Sequence, residues 1–330
     1  MISLFVFVMM MVVDYLNVLT KGKMSAMMRG GRFRQYTLAS FLGATPGCLG
    51  AFMNVSFYVR GLISFGAVAG GMIATSGDES YVMFAMFPKQ ALLLHIALFV
   101  LGIVSAYIID KLVPLLKIVP CKECHLGSVH LEDKECKCFD ASVLRRFPRI
   151  VSSRFVLLVG IIAFLILFGL GTIGPKTWGW ERTSVFSLLW VALFLVATVP
   201  DHFLKEHIWQ HIVKEHIWRV FLWTFFALLV IHIGLEHYNL GEFVKTNLLG
   251  MLFLSAVIGI IPESGPHLVF VSMFAKGLIP FSILLTSSIV QDGHGMLPLL
   301  SYTVRDSLLI KIFNLIIGLG LGLLLFVLGY

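Results

Sequence analysis

About ten apolar stretches, each close to the ~20 residues that a helix needs to cross a hydrocarbon core, follow one another along the 330-residue chain. They run approximately over residues 2–19, 37–59, 61–76, 91–113, 155–173, 184–200, 219–235, 246–262, 268–290 and 307–329. With 58% apolar and 13% charged side chains, the chain cannot build a water-soluble surface, which needs far more charge. It reads as an all-α polytopic membrane protein with lipid as its solvent. The opening run, residues 1–13, lacks a basic segment and a small-residue cleavage site and flows into Asp14, Tyr15 and Asn17. It reads as a retained span rather than a signal peptide.

The formal charge of +7 lies in membrane-flanking loops, where Lys and Arg set topology, and no nucleic-acid partner is needed to explain it. Five basic residues (Lys21, Lys23, Arg29, Arg32, Arg34) follow the first stretch, and nine lie between Lys111 and Arg154. Both loops are expected in the cytoplasm, as is the loop with Lys205, Lys214 and Arg219. The basic-poor segments 178–182 and 238–247 then face outward, and the amino terminus lies outside.

Set against itself at an offset of 216, the chain matches at 14 of the 60 positions from Gly43 to Gly102. The matches include Gly-x-x-Pro (43–46 and 259–262) and Gly-Leu-Ile-x-Phe (61–65 and 277–281), with Lys89 opposite Arg305, a pattern beyond shared hydropathy. The basic loops put the chain that reaches residue 37 on the inside and its equivalent on the outside, so the halves are expected to be antiparallel. Such inverted-topology repeats are the usual architecture of secondary transporters, with the solute site where broken helices face each other. Gly-Ala-Thr-Pro-Gly-Cys (43–48) and Gly-Ile-Ile-Pro-Glu-Ser-Gly-Pro-His (259–267) break helices inside apolar sequence. Antiparallel halves need an odd number of crossings each, so residues 61–76 and 268–290 are expected to be re-entrant or discontinuous. The expected organisation is a first repeat at 1–113, a cytosolic Cys/His-rich loop at 114–150, two linking spans with an interfacial helix at 151–218, and a second repeat at 219–330.

Ionisable groups inside spans are costly and mark cavities. Thr75-Ser76-Gly77-Asp78-Glu79 ends one apolar run, and Gln291-Asp292-Gly293-His294 holds the same register in the second half. Glu263 and His267 flank the second break, and Asn54 lies near the first. Carboxylate, imidazole, amide and hydroxyl suit Mn²⁺, Zn²⁺, Fe²⁺ or Co²⁺, and the same groups could pass protons. The plainer reading of either cluster alone is a polar turn ending a helix; their equivalent positions weigh towards an ion site. Asp14, His232, Glu236 and His237 are weaker candidates.

Cys121, Cys124, His125, His130, Cys136 and Cys138 crowd the long loop, which holds four of the five cysteines. A cytoplasmic location argues against disulfides and against haem, and thiolate with imidazole suits zinc or another soft metal in an accessory site. Reduced cysteines in a flexible loop are the alternative. Residues 202–219 repeat Lys-Glu-His-Ile-Trp at a nine-residue interval and read as an interfacial amphipathic helix.

Thr-Pro-Gly-Cys-Leu-Gly-Ala-Phe-Met-Asn-Val (45–55), Gly-Gly-Met-Ile-Ala-Thr-Ser-Gly-Asp-Glu (70–79), Pro-Asp-His (200–202), Ile-Pro-Glu-Ser-Gly-Pro-His (261–267) and Gln-Asp-Gly-His-Gly (291–295) together carry a family resemblance. On these motifs, nearly the whole chain resembles a bacterial ArsP-like family of ten-span heavy-metal exporters, often labelled manganese transporters. The resemblance implies export of a metal or metalloid across the inner membrane. Only Cys48 places a thiol in a span, which favours a divalent cation over As(III).

The expected function is secondary export of a divalent heavy metal, Mn²⁺ foremost, in exchange for protons, with alternating access of the two halves. Asn54, Thr75, Ser76, Asp78, Glu79, Glu263, His267, Gln291, Asp292 and His294 are the candidate site. No cofactor is required, no Walker motif is present, and no His-Glu-x-x-His helix supports a metalloprotease. The expected partners are the metal substrate and the bilayer, and a homo-oligomer is compatible. Rival readings are an arsenical or other small-solute permease and a metal sensor built on the Cys/His loop.

Overall fold

Proline and glycine cut the apolar stretches into helices of unequal length. The computed structural model describes residues 30–77, 79–118, 152–174, 178–199 and 247–329, with isolated positions at 8, 11, 12, 204, 218, 221, 222, 225, 226 and 229. Within them lie α1 (Arg32–Ala44), α2 (Leu49–Val59), α3 (Phe65–Ile73), α4 (Glu79–Met86) and α5 (Pro88–Leu115). There follow α6 (Ser152–Gly169), α7 (Trp180–Thr198), α8 (Leu248–Gly259), α9 (Gly265–Ala275), α10 (Phe281–Val290), a 3₁₀ turn (Gly293–Gly295), α11 (Met296–Tyr302) and α12 (Val304–Val327). No strand occurs among the described residues.

Local chemistry explains the boundaries. The stretch 37–59 splits at Pro46, which has no N–H to donate, and Gly47, which adopts φ +92°. The Leu42 carbonyl, whose usual fourth-residue donor would be Pro46, accepts instead from the Thr45 hydroxyl and the Thr45 N–H. Ser64 caps α3 by accepting from Ala67 N at 3.1 Å, and Asn247 caps α8 by accepting from Gly250 N at 2.9 Å. The stretch 268–290 is discontinuous: α9 stops at Ala275 and α10 starts at Phe281, across a turn in which Gly277 has φ +67°.

The helix pattern recurs at the same interval as the sequence identities. Shifted by 216, the starts of α1, α2, α3, α4 and α5 fall at 248, 265, 281, 295 and 304; the corresponding helices start at Leu248, Gly265, Phe281, Met296 and Val304. Packing recurs too. α1, α3 and α5 pack on one another, as do α8, α10 and α12; α2 meets α11, and α9 meets α4. Small residues permit the closest approach: a Cβ on Gly70 of α3 would collide with the Gly102 carbonyl of α5, and one on Gly322 of α12 with the Thr286 hydroxyl of α10.

α5 and α12 are long and apolar enough to cross a membrane unaided. At 1.5 Å per residue, the nine residues of α3 reach only about half of a ~30 Å hydrocarbon core. α5 exposes a stripe of Leu92, Ile96, Val100, Val104 and Ile108, and α12 exposes Leu308, Ile312 and Ile316. Four-residue spacing keeps each stripe on one face, as contact with lipid requires.

The chain divides into two compact units, one holding α6 and α7 and the other holding the remaining helices named above. Within the first, two arginines clamp the hairpin reciprocally. Arg182, near the start of α7, donates to the Phe168 and Gly169 carbonyls at the end of α6, both at 3.0 Å. Arg154, near the start of α6, donates to Ala197 and Val199 at the end of α7. Both satisfy carbonyls that a helix end leaves without an intrahelical partner. The charge of Arg154, counted above with the loop, is therefore buried in a helix contact.

Candidate functional site

Four chain breaks converge in the larger unit: the bends before α2 and α9, and the links that follow α3 and α10. Gly47 N donates to Gly77 O at 3.0 Å, joining the first bend to the first link. Gly77 and Gly293, equivalent under the 216-residue shift, have φ +57° and +51°, a conformation that a side chain with a Cβ disfavours. Space explains the same choice at Gly77: a Cβ there would lie 2.8 Å from Glu79 Oε2 and 3.7 Å from Ser264 Oγ, so both side chains border one small volume.

Two polar pairs line this region. Glu79, fully buried at the start of α4, accepts from Gln291 Nε2 at 3.4 Å, a contact between the first helix set and the second. Glu263 Oε1 lies 3.2 Å from His294 Nε2. The other imidazole nitrogen of His294 faces Ser264 Oγ at 3.4 Å and Cys48 Sγ at 4.0 Å. Ser264 and Cys48 are themselves equivalent positions of the two bends. Glu263 Oε2 and Gln291 Oε1 are buried and find no hydrogen-bond partner among the described residues. Buried carboxylates of this kind are stabilised by a positive charge or by added donors.

Asp292 takes a different partner. Its carboxylate lies 2.7 Å from Lys311 Nζ and accepts from Asn314 Nδ2 at 2.8 Å, both on α12. Ser76 lies 2.7 Å from Ser80 Oγ and 2.8 Å from His95 Nε2 on α5. His267 Nδ1 meets Ser287 Oγ at 3.1 Å. Asn54 and Thr75 make structural bonds, to Ala39 O at 2.8 Å and to Gly71 O at 2.8 Å. Asp78 lies outside the described residues, as do Cys121, Cys124, His125, Cys136, Cys138, Asp14 and almost all of the segment 202–219.

Of the candidates named from sequence, Glu79 with Gln291 and Glu263 with His294 are brought together; Asp292, His267, Ser76, Asn54 and Thr75 each bond elsewhere. Among the described residues, no trio of His, Cys, Asp or Glu stands close enough to hold a metal ion. Sequence reasoning missed Ser264, His95, Lys311 and Asn314. The last three interrupt the apolar stretches 91–113 and 307–329, and a polar group inside a span is signal enough.

Helices too short to span, links after α3 and α10 buried in protein, and acidic groups gathered at the breaks define a polytopic membrane transport protein. The chain belongs to the ArsP_2 family, described as “Putative, 10TM heavy-metal exporter”, whose model matches residues 1–328. The family places the protein in a membrane with ten spans and assigns it to heavy-metal export. No curated protein and no solved structure matches the chain.

Proposed function

We propose that the protein exports a divalent heavy-metal cation, Mn²⁺ foremost, across the bacterial inner membrane in exchange for protons. The carrying observation is the convergence of Glu79 with Gln291 and of Glu263 with His294 at buried helix breaks drawn from both helix sets. Two carboxylates, an imidazole and an amide are oxygen- and nitrogen-rich, which suits a cation of intermediate hardness such as Mn²⁺. In this reading α1–α5 and α8–α12 are antiparallel halves of an inverted repeat, and rocking one against the other exposes the site to each side in turn. Glu79 and Glu263 hold the cation, Gln291 and His294 complete the cavity, and the carboxylates take up protons as the cation leaves. The Cys/His loop serves as an accessory cytosolic metal site.

The test is metal accumulation in a metal-sensitive bacterium expressing wild type, Glu79→Gln, Glu263→Gln or empty vector, challenged in turn with Mn, Fe, Co, Zn and As. Lower cell-associated Mn with wild type alone supports the reading; an unchanged panel rejects it. The position of Cys48 Sγ 4.0 Å from His294 Nδ1 favours a second reading, a permease for arsenicals, since thiols bind As(III). Under that reading As falls instead of Mn, and Cys48→Ser abolishes the effect.

A further inference from the structure

Each long helix bonds the link that follows its neighbouring short helix, and the two contacts are equivalent. Positions 76 and 95 become 292 and 311 under the 216-residue shift. In the first helix set the contact joins a hydroxyl to an imidazole: His95 Nε2 lies 2.8 Å from Ser76 Oγ, and its Nδ1 lies 2.7 Å from the Ala91 carbonyl. In the second it joins two charges: Lys311 Nζ lies 2.7 Å from Asp292 Oδ2. Asp292 is 0% exposed and Lys311 6%. Lys311 is also the one buried lysine among the described residues.

Taking two charges out of water costs far more than burying a hydroxyl and an imidazole. Because Ser76 and His95 pin their link to α5 without a carboxylate, pinning alone does not call for Asp292 and Lys311. The surroundings of the pair indicate what does. Asp292 follows Gln291, whose amide reaches Glu79, and precedes by two residues His294, which meets Glu263. The ammonium therefore brings a positive charge to the same segment that lines two buried glutamates, and it does so without an ion from solution.

We propose that Lys311 is a tethered cation that occupies Asp292 while the ion site is empty and is displaced when a divalent cation arrives. Two added positive charges repel the ammonium, and Asp292, released, turns its carboxylate towards the cation. When the cation leaves, Glu79 and Glu263 take up protons, Lys311 returns to Asp292, and the metal-free, proton-loaded carrier keeps a compensated core through its return step. The proposal rests on the divalent-cation reading above and adds to it the residue that lets the metal-free, proton-loaded protein reset.

The experiment uses the full chain in proteoliposomes, with MnCl₂ as the probe. Equilibrium binding, Mn²⁺–Mn²⁺ exchange and net Mn²⁺ efflux are measured for wild type, Lys311→Met, Lys311→Arg and the double variant Asp292→Asn/Lys311→Met. Lys311→Met is expected to bind Mn²⁺ about tenfold more tightly, an ordinary size for coupling between two sites, and to keep exchange while losing net efflux. Lys311→Arg, which keeps a positive charge beside Asp292, is expected to stay nearer wild-type affinity than Lys311→Met does. The double variant, which buries no unpaired charge, is expected to return towards wild-type affinity, to keep exchange and to lack net efflux. A lysine with a merely structural role would instead lower binding, exchange and efflux together. Lys311→Met binding no tighter than wild type, or a double variant with wild-type net efflux, overturns the proposal. If wild type binds neither Mn²⁺ nor Zn²⁺, Co²⁺ or Fe²⁺, the divalent-cation reading falls and the proposal with it; wild-type binding with unaltered Lys311→Met sinks the tethered cation alone.

Discussion

Glu79 and Glu263 are buried where water cannot solvate them, and among the contacts described Glu79 meets the Gln291 amide and Glu263 the His294 imidazole. Replacing either by Gln keeps the volume and removes the charge. Each variant is therefore expected to lower Mn²⁺ efflux at least about tenfold, since losing one charged hydrogen-bonding group is worth ~1.5–3 kcal/mol. Radioactive Mn²⁺ flux from vesicles, normalised to membrane-inserted protein, checks this; wild-type flux from Glu263→Gln would remove that residue from the site. At this scale the sequence was informative about identity and silent about pairing. Glu79, Glu263, Gln291 and His294 stand out as polar groups at breaks. That Asp292 belongs to Lys311, and not to His294 two residues on, depends on which way each side chain leaves the link.

The short helices owe their places to close backbone contact. Gly70 and Gly102 let α3 and α5 touch, and a side chain at either would meet the other's carbonyl oxygen. Gly102→Leu is expected to destabilise by at least ~1–3 kcal/mol, the range for overpacked cores. The check is the unfolding midpoint in detergent, which should fall; Leu324→Ala, at an exposed position of α12, serves as the neutral control. The hairpin of α6 and α7 makes a separate prediction. Arg182→Met keeps the aliphatic stem but leaves the carbonyls of Phe168 and Gly169 without their donor, at a cost of ~1–3 kcal/mol. Protease protection within residues 152–198 should fall while Mn²⁺ binding persists. An Arg182→Met protein as resistant as wild type would show that water replaces the guanidinium.

At the scale of the whole molecule, the proposed inverted repeat would set which faces open in turn. Lys89 and Arg305 are equivalent, exposed, and lie in the first turns of α5 and α12. In an inverted repeat they lie on opposite sides of the membrane. Cysteines placed singly at these positions, in a background lacking the five native ones, are expected to react with an impermeant maleimide from opposite faces. Labelling of both from one face would reject the inversion and, with it, alternating access by rocking halves.

By itself the sequence determined the solvent, the helical class, the 216-residue interval and most of the acidic and imidazole groups at the breaks. Hydropathy, proline chemistry and residue identity are local properties and can be read without coordinates. Only the tertiary structure decided that Arg154 caps α7 and that His95 and Lys311 hold equivalent links with unlike chemistry. Those outcomes depend on which helices meet and at what height. Buried polar groups seek partners wherever the packing supplies them, often hundreds of residues away, and no period or motif in a single chain records that choice.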